Sequence, residues 1–472
     1  MTEQLCFLSA TDLAQKIRSK QLSAVEVMQA HLKQIERVNP IVNAIVTLDA
    51  EGALAKARAA DAKQARGEAL GPLHGLPIAH KDLFATKGMR TTLGSLIFKD
   101  HVPDHSMIVV DRSWDAGAIC VGKTNTPEFG AGSQTFNAVF GATKNPYDLT
   151  KTCGGSSGGA GVVLATGMLP LADGSDLGAS LRNPGNFCNV VGLRTSPGRV
   201  PAYPGKHLWD TLSVEGPMAR TVEDTALLLS VQAGPDDRVP ISLMEPGATF
   251  NAPLGRDFKG VRVGFSPTLG GQVPVDQRVS SIIAAQDQVF ASLGCVLDDA
   301  VPDFSGAHEV FLTLRAHGFE LKNGAYLDQH RDKLKQTVIW NIEAGRKLTC
   351  ADIARADAER TKIYGRVAAF FAQHEFLVTV VNQVPPFPIE QEYVDEINGE
   401  KLPTYLDWMK SCYYITITGH PAISVPAGFT AEGLPVGIQI VGRRNADFAV
   451  LQLAYAFEQA TKAGARRPSI AL

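Results

Sequence analysis

Residues 153–185 constrain the fold more than any other stretch: C-G-G-S-S-G-G-A-G-V-V-L-A-T-G-M-L-P-L-A-D-G-S-D-L-G-A-S-L-R-N-P-G. Two serine clusters are set in glycine, Ser156 with Ser157 and then Ser180. Glycine adopts backbone conformations closed to other residues and lets N–H groups come close to a ligand. Serine and glycine together ordinarily make flexible linker. Here an apolar run joins the clusters: Val162, Val163 and Leu164, then Met168, Leu169 and Leu171. A buried segment therefore holds two rigid turns side by side.

The first turn and the second, Gly174-Ser175-Asp176-Leu177-Gly178-Ala179-Ser180-Leu181-Arg182-Asn183-Pro184, resemble the signature of the amidase signature family. That signature is G-G-S-S-G-G followed at a fixed distance by G-x-D-x-G-x-S-[IL]-R-x-P. Residues 71–84, G-P-L-H-G-L-P-I-A-H-K-D-L-F, resemble the family segment that carries its catalytic lysine. The resemblance covers roughly residues 10–265 and 375–470. It implies Ser180 as nucleophile, Ser156 as a bridging serine after a cis peptide bond, and Lys81 as base. The 24-residue spacing back from Ser180 selects Ser156 over Ser157, which is expected to begin the following helix. One departure stands out: Ala179 occupies a position where the family usually has glycine, so a methyl group lies beside the oxyanion donors.

The chemistry of these residue types agrees. An amide carbonyl is a poor electrophile and an amine a poor leaving group. Cleavage needs a nucleophile, a base, donors for the oxyanion and an acid for the departing nitrogen. The backbone N–H groups of Leu177, Gly178, Ala179 and Ser180 lie in a tight turn suited to hold an oxyanion. Asp176 and Arg182 are expected to brace that turn. A lysine in water has a pKa of about 10.4 and is charged at neutral pH. Burial at the end of the apolar segment Leu76-Pro77-Ile78-Ala79 would depress that value and make Lys81 a base. Ser156, which both donates and accepts, would relay the proton. The bland alternative is that Lys81 pairs with Asp82. His74 and His80 read as structural.

Composition sets bounds. With 472 residues, 45% hydrophobic and 20% charged, the chain can bury a large core. A net charge of −3 with interspersed signs points to no nucleic-acid partner. The first residues lack a basic and an apolar region, so no signal peptide is expected. No apolar run is long enough to span a membrane. Seven scattered cysteines without a C-x-x-C pair suit a reducing cytoplasm rather than disulfides or zinc.

The expected fold is α/β: one large domain with a central mixed, mostly parallel twisted sheet flanked by helices. Helices are expected at 9–18, at 23–38 (ended by Pro40) and at 49–66, together an N-terminal clasp over residues 1–66. A catalytic core follows at 71–265, with strands near 45–47, 76–79, 118–121 and 190–194. A βαβ unit is expected over 261–297, with one helix at 276–293. Residues 306–373 read as a helical cap that sets specificity, and 375–472 complete the core. The irregular stretch 202–214 is placed to reach the site's mouth. The 384–388 loop, Phe311, Tyr326, Trp340 and Tyr405 are candidates for an aromatic pocket.

Two literal motifs compete. Residues 117–124 match G-x-x-x-x-G-K-T, but Ile119, Cys120 and Val121 are strand formers where a phosphate loop must curl. Residues 154–158 match G-x-S-x-G, the nucleophile elbow of α/β-hydrolases, but a turn rather than a strand precedes them. The resemblance implies hydrolysis of small-molecule amides, anilides or carbamates (urethanes) with no cofactor and no metal. The family also contains the glutaminase subunit of transfer-RNA amidotransferase, a partner-dependent alternative.

Overall fold

The computed structural model describes residues 5–472; Met1–Gln4, on which the signal-peptide expectation rests, lie outside the described residues. Eleven strands among the described residues form one sheet. They are β1 (Ile45–Leu48), β2 (Pro77–Lys81), β3 (Ile119–Thr124), β4 (Leu171–Asp176), β5 (Val191–Arg194), β6 (Val214–Ala219), β7 (Arg262–Ser266), β8 (Val296–Asp298), β9 (Phe376–Val380), β10 (Ala422–Phe429) and β11 (Pro435–Gly442). Their order is β1-β3-β2-β4-β6-β5-β10-β11-β9-β7-β8. Every residue of β2, β3, β6, β9 and β11 is buried, as a sheet covered by helices on both faces requires. The chain is a single α/β domain built on a mixed sheet.

Parallel pairing is gathered in two wings, β3-β2-β4 and β9-β7-β8. Both arise where helices cross over between strands, the connection that parallel neighbours need. The helix Ile108–Asp115 lies between β2 and β3, and the helix Gly158–Ala165 between β3 and β4. The centre of the sheet is antiparallel, from β4-β6 and β6-β5 to the β10-β11 hairpin. The consequence for function lies in the first wing. β2 and β4 run parallel, so Lys81 at the end of β2 and Asp176 at the end of β4 reach the same edge. Ligands of such sheets sit beyond the carboxyl ends of the strands.

Helix ends follow their capping residues. Ser9 Oγ accepts from Asp12 N (2.9 Å) at the start of Ala10–Arg18. Ser23 and Glu26 form a reciprocal capping box. Thr221 accepts from Asp224 N (3.1 Å) before Val222–Gln232. Two boundaries differ from expectation. The helix Ala24–Val42 runs through Pro40, because proline in a last turn forfeits a single intrahelical bond. Asn43 ends it instead, at φ 54°, donating its N–H to Asn39 O. The expected helix at 276–293 is two, Gln277–Ala284 and Asp287–Ser292. Between them the chain tightens through a bond from Gln286 N to Ile283 O (3.0 Å), which interrupts the α-helical ladder.

Residues 306–373 are helical: Ala307–His330, Gln336–Arg346 and Cys350–Gln373. No helix among the described residues is long and apolar enough to cross a membrane.

Candidate active site

Lys81 is fully buried at the end of β2. Its Nζ stands 2.7 Å from Ser156 Oγ, 2.8 Å from Ser157 Oγ and 3.1 Å from Ser175 Oγ. Its neighbours are hydroxyls and the Ser175 carbonyl (3.4 Å), not a carboxylate. Burial lowers its pKa to about 7, against the opposing pull of Asp176, Asp173 and Glu215. The pairing with Asp82 is not made. Asp82 accepts from Thr92 and faces Lys123 instead.

The three hydroxyls come together by backbone design. The Gly155–Ser156 peptide is cis, as the resemblance implies. Ser157 precedes the helix Gly158–Ala165, as expected, but its hydroxyl caps nothing and goes to Lys81. That approach needs Gly174. A Cβ there would lie 2.3 Å from Ser157 Oγ and 2.7 Å from its Cβ. Ser175, the next residue of β4, brings its own Oγ to Lys81.

The turn after β4 is tied by its carbonyls. Gly178 O accepts from Arg182 Nη2 (2.9 Å), Ala179 O from Asn183 N (2.7 Å) and Ser180 O from Ser157 N (3.2 Å). Among the described residues, nothing accepts from the N–H groups of Leu177, Gly178, Ala179 or Ser180. Those four residues line a cavity of about 390 Å³ together with Ser156 and Ser175. Unsatisfied donors held rigidly at a cavity wall are what a developing oxyanion requires.

Asp176 holds the turn from behind. Its carboxylate accepts from Arg182 (2.9 and 3.1 Å), Arg194 (3.2 Å) and Leu181 N (3.1 Å), all fully buried. Burial alone would raise its pKa, but Arg182 and Arg194 hold it well below the usual carboxylate range. Arg182 also reaches Cys412 O, Gln439 Oε1 and Thr416 Oγ1.

The residues singled out by sequence thus fall into three layers. Ser156, Leu177, Gly178, Ala179 and Ser180 line the cavity, Lys81 lies beneath, and Asp176 and Arg182 lie behind the turn. Sequence reasoning missed Ser157 and Ser175 as partners of Lys81, and Arg194 as the second cation on Asp176. Arg194 carried a usable signal: it ends an otherwise apolar strand, where a cation must find a partner. A further buried pair, His80 Nδ1 to Asp173 Oδ2 (2.5 Å), adjoins the lysine; Asp173 Oδ1 also accepts from Lys81 N (3.1 Å).

The far wall comes from the stretch 202–214 and from the helix Ala307–His330. Phe311 and Tyr326 face the cavity. Trp340 does not and is 38% exposed. Tyr405 is buried behind the wall, in contact with Arg315. The 384–388 loop also lies elsewhere: Phe387 packs against Phe187 and Trp408, satisfying its apolar surface in the core. The G-x-x-x-x-G-K-T match runs into β3, and Lys123 is spent inside the protein on Phe84 O and Thr86 Oγ1. The G-x-S-x-G match follows no strand of the sheet, unlike a nucleophile elbow.

A family model described as Amidase matches residues 26–451. An acylamidase of Rhodococcus erythropolis is 36% identical over 480 residues, spanning 100% of this chain and 99% of the relative. A glutamyl-tRNA(Gln) amidotransferase subunit from Moorella thermoacetica is 34% identical, spanning 99% of each. The solved structure of a bacterial aryl acylamidase of the amidase signature family superposes with a TM-score of 0.91 at 29% identity. It covers 98% of this chain and 99% of its own. These relatives bear names of different reactions but match this chain from end to end, and the chain belongs to the amidase signature family.

Proposed function

We propose that the protein is an amidase that cleaves the C–N bond of small carboxylic amides and of carbamates, with aryl amides and N-aryl carbamates foremost, through an acyl-enzyme on Ser180. The observation that carries this reading is Lys81: a buried amine with a pKa near 7, among hydroxyls, beneath a turn of four unsatisfied amides.

In this mechanism Ser180 Oγ attacks the carbonyl carbon. Its proton passes to Ser156 while the proton of Ser156 passes to neutral Lys81 Nζ. The N–H groups of residues 177–180 receive the oxyanion. Collapse breaks the C–N bond, and the proton returns from Lys81 through Ser156 to the departing nitrogen. Water then attacks the ester by the same relay in reverse order, restoring Ser180 and releasing the carboxylic acid from an amide, or from a carbamate the carbonate half-ester that breaks down to CO2 and an alcohol. Asp176, Arg182 and Arg194 act as positioning residues. The amine product leaves protonated or neutral according to its own basicity. The scattered cysteines fit a cytoplasmic setting.

The likeness to an amidotransferase component favours a second reading, a glutaminase that works only with a partner. The test uses three substrates with one aromatic amine: an acetanilide, a longer-chain anilide and an N-aryl carbamate, with Ser180→Ala as blank. Anilide turnover supports the amidase reading. Carbamate turnover at or above the anilide rates supports urethane hydrolysis. Silence on all three, with Ser180 still labelled by a fluorophosphonate, transfers the case to the partner-dependent reading.

A further inference from the structure

Arg315 differs from three other buried arginines of the protein. Arg182 and Arg194 meet Asp176, and Arg199 meets Asp447. Arg315 is 5% exposed, yet its partners are neutral. Nε donates to Asn341 Oδ1 (3.1 Å) and Nη2 to Tyr405 OH (3.0 Å). Asn341 Nδ2 in turn donates to Tyr405 OH (2.6 Å), so the pair that fixes the guanidinium is itself fixed. Among the described residues Nη1 donates to nothing and no carboxylate comes within ion-pair distance. That nitrogen is left to meet whatever enters the cavity.

The side chain is part of the cavity that holds Ser156 and Ser180. It sits between Phe311 and Phe319, one turn before and after it on the helix Ala307–His330, with ring centroids 5.9 and 4.6 Å from the guanidinium carbon. Phe311 also touches the oxyanion turn: its ring lies 3.3 Å from where a Cβ on Gly178 would stand. Arg315 follows Phe311 by one helical turn and lines the same cavity wall.

The other charges lining the cavity do not cancel it. Asp210 is taken by Lys322 (2.6 Å). Glu215 is buried, and burial together with Asp173 pushes its carboxyl well above the usual range. Lys206 lies over the Tyr326 ring and adds positive charge. The cavity is thus cationic in a chain whose net charge is −3.

We infer that the substrate carries a carboxylate a few bonds from the scissile carbonyl and that Arg315 binds it. The planar fork of a guanidinium suits a carboxylate, and the two neutral anchors leave Nη1 for it. This inference rests on the amidase reading for its chemistry but not for its binding. The substrate class is an anionic amide, with the acid on the acyl chain or on the amine.

The test separates these cases with three probes: 4-anilino-4-oxobutanoate (acid on the acyl side), 4-butyramidobenzoate (acid on the amine side) and neutral butyranilide. Calorimetric affinities are measured on Ser180→Ala, where no turnover intervenes. One acidic probe is expected to bind about tenfold or more tighter than butyranilide. Arg315→Gln should erase that preference and Arg315→Lys should keep part of it. Asn341→Asp gives Arg315 an internal carboxylate and should erase the preference with the arginine in place, which answers any folding defect of Arg315→Gln. Equal affinities for all three probes, or a preference that survives both Arg315→Gln and Asn341→Asp, overturn the inference. Acid-dependent binding without hydrolysis by the wild-type chain would sink the amidase reading alone.

Discussion

Ser157 Oγ lies 2.8 Å from Lys81 Nζ, as close as Ser156 Oγ at 2.7 Å. The two serines nevertheless differ in access. Ser156 lines the cavity, whereas Ser157 is fully buried and ends between Lys81 and the Ser175 carbonyl. Ser156→Ala is expected to cost about 10²–10⁴-fold in kcat, the range of a proton-transfer group. Ser157→Ala should cost less, because Ser157 does not reach the cavity that Ser180 lines. Equal losses in steady-state kinetics would make Ser157 part of the relay.

With neutral Lys81 as the proposed base, kcat/KM should rise about tenfold per pH unit up to about 7 and level off above. Stability carries the same signature. The folded value lies below the ordinary ~10.4, so the unfolded chain binds more protons between the two and stability rises with pH across that window. Lys81→Met should remove this slope from urea titrations repeated at several pH values.

Asp176→Asn leaves Arg182 and Arg194 buried without their carboxylate. Removing one member of a buried ion cluster costs about 3–5 kcal/mol, read as a lower denaturation midpoint. In the wild-type chain the folded pKa of Asp176 is depressed. Its contribution is therefore full above the ordinary carboxylate value and is lost as pH falls through the folded value.

Gly174→Ala would drive a methyl group into Ser157. The expected outcome is a lower Tm and a kcat loss deeper than that of Ser157→Ala. Ser157→Gly in the same background removes the clashing atoms and should restore part of the Tm.

Much of this layout was legible. Caps at Ser9, Ser23 and Thr221 announce their helices because the physics is local. The apolar segment before Lys81 and the glycine-set serines identify the site because few other uses exist for such residues. Ser157 was harder: a hydroxyl's direction depends on a backbone turn that spacing alone does not describe. Ser175 depends on sheet register, which pairs it with Glu215. Arg315 was hidden by its setting. An arginine on a helix reads as solvated until the packing of Phe311 and Phe319 around it is seen. The 384–388 loop misled because it lines a separate cavity, with Asp148 and Lys151, and composition does not say which cavity a loop borders.

The wall that Phe311, Arg315 and Phe319 present to the cavity has a consequence for how such a chain diversifies. The proposed nucleophile, relay and oxyanion donors come from the front half of the chain, whereas this wall belongs to one later helix. Mutation can remodel the wall residue by residue while the inherited reaction machinery stays as it is. A library confined to that helix face would sample new substrate preferences from a single ancestral catalyst.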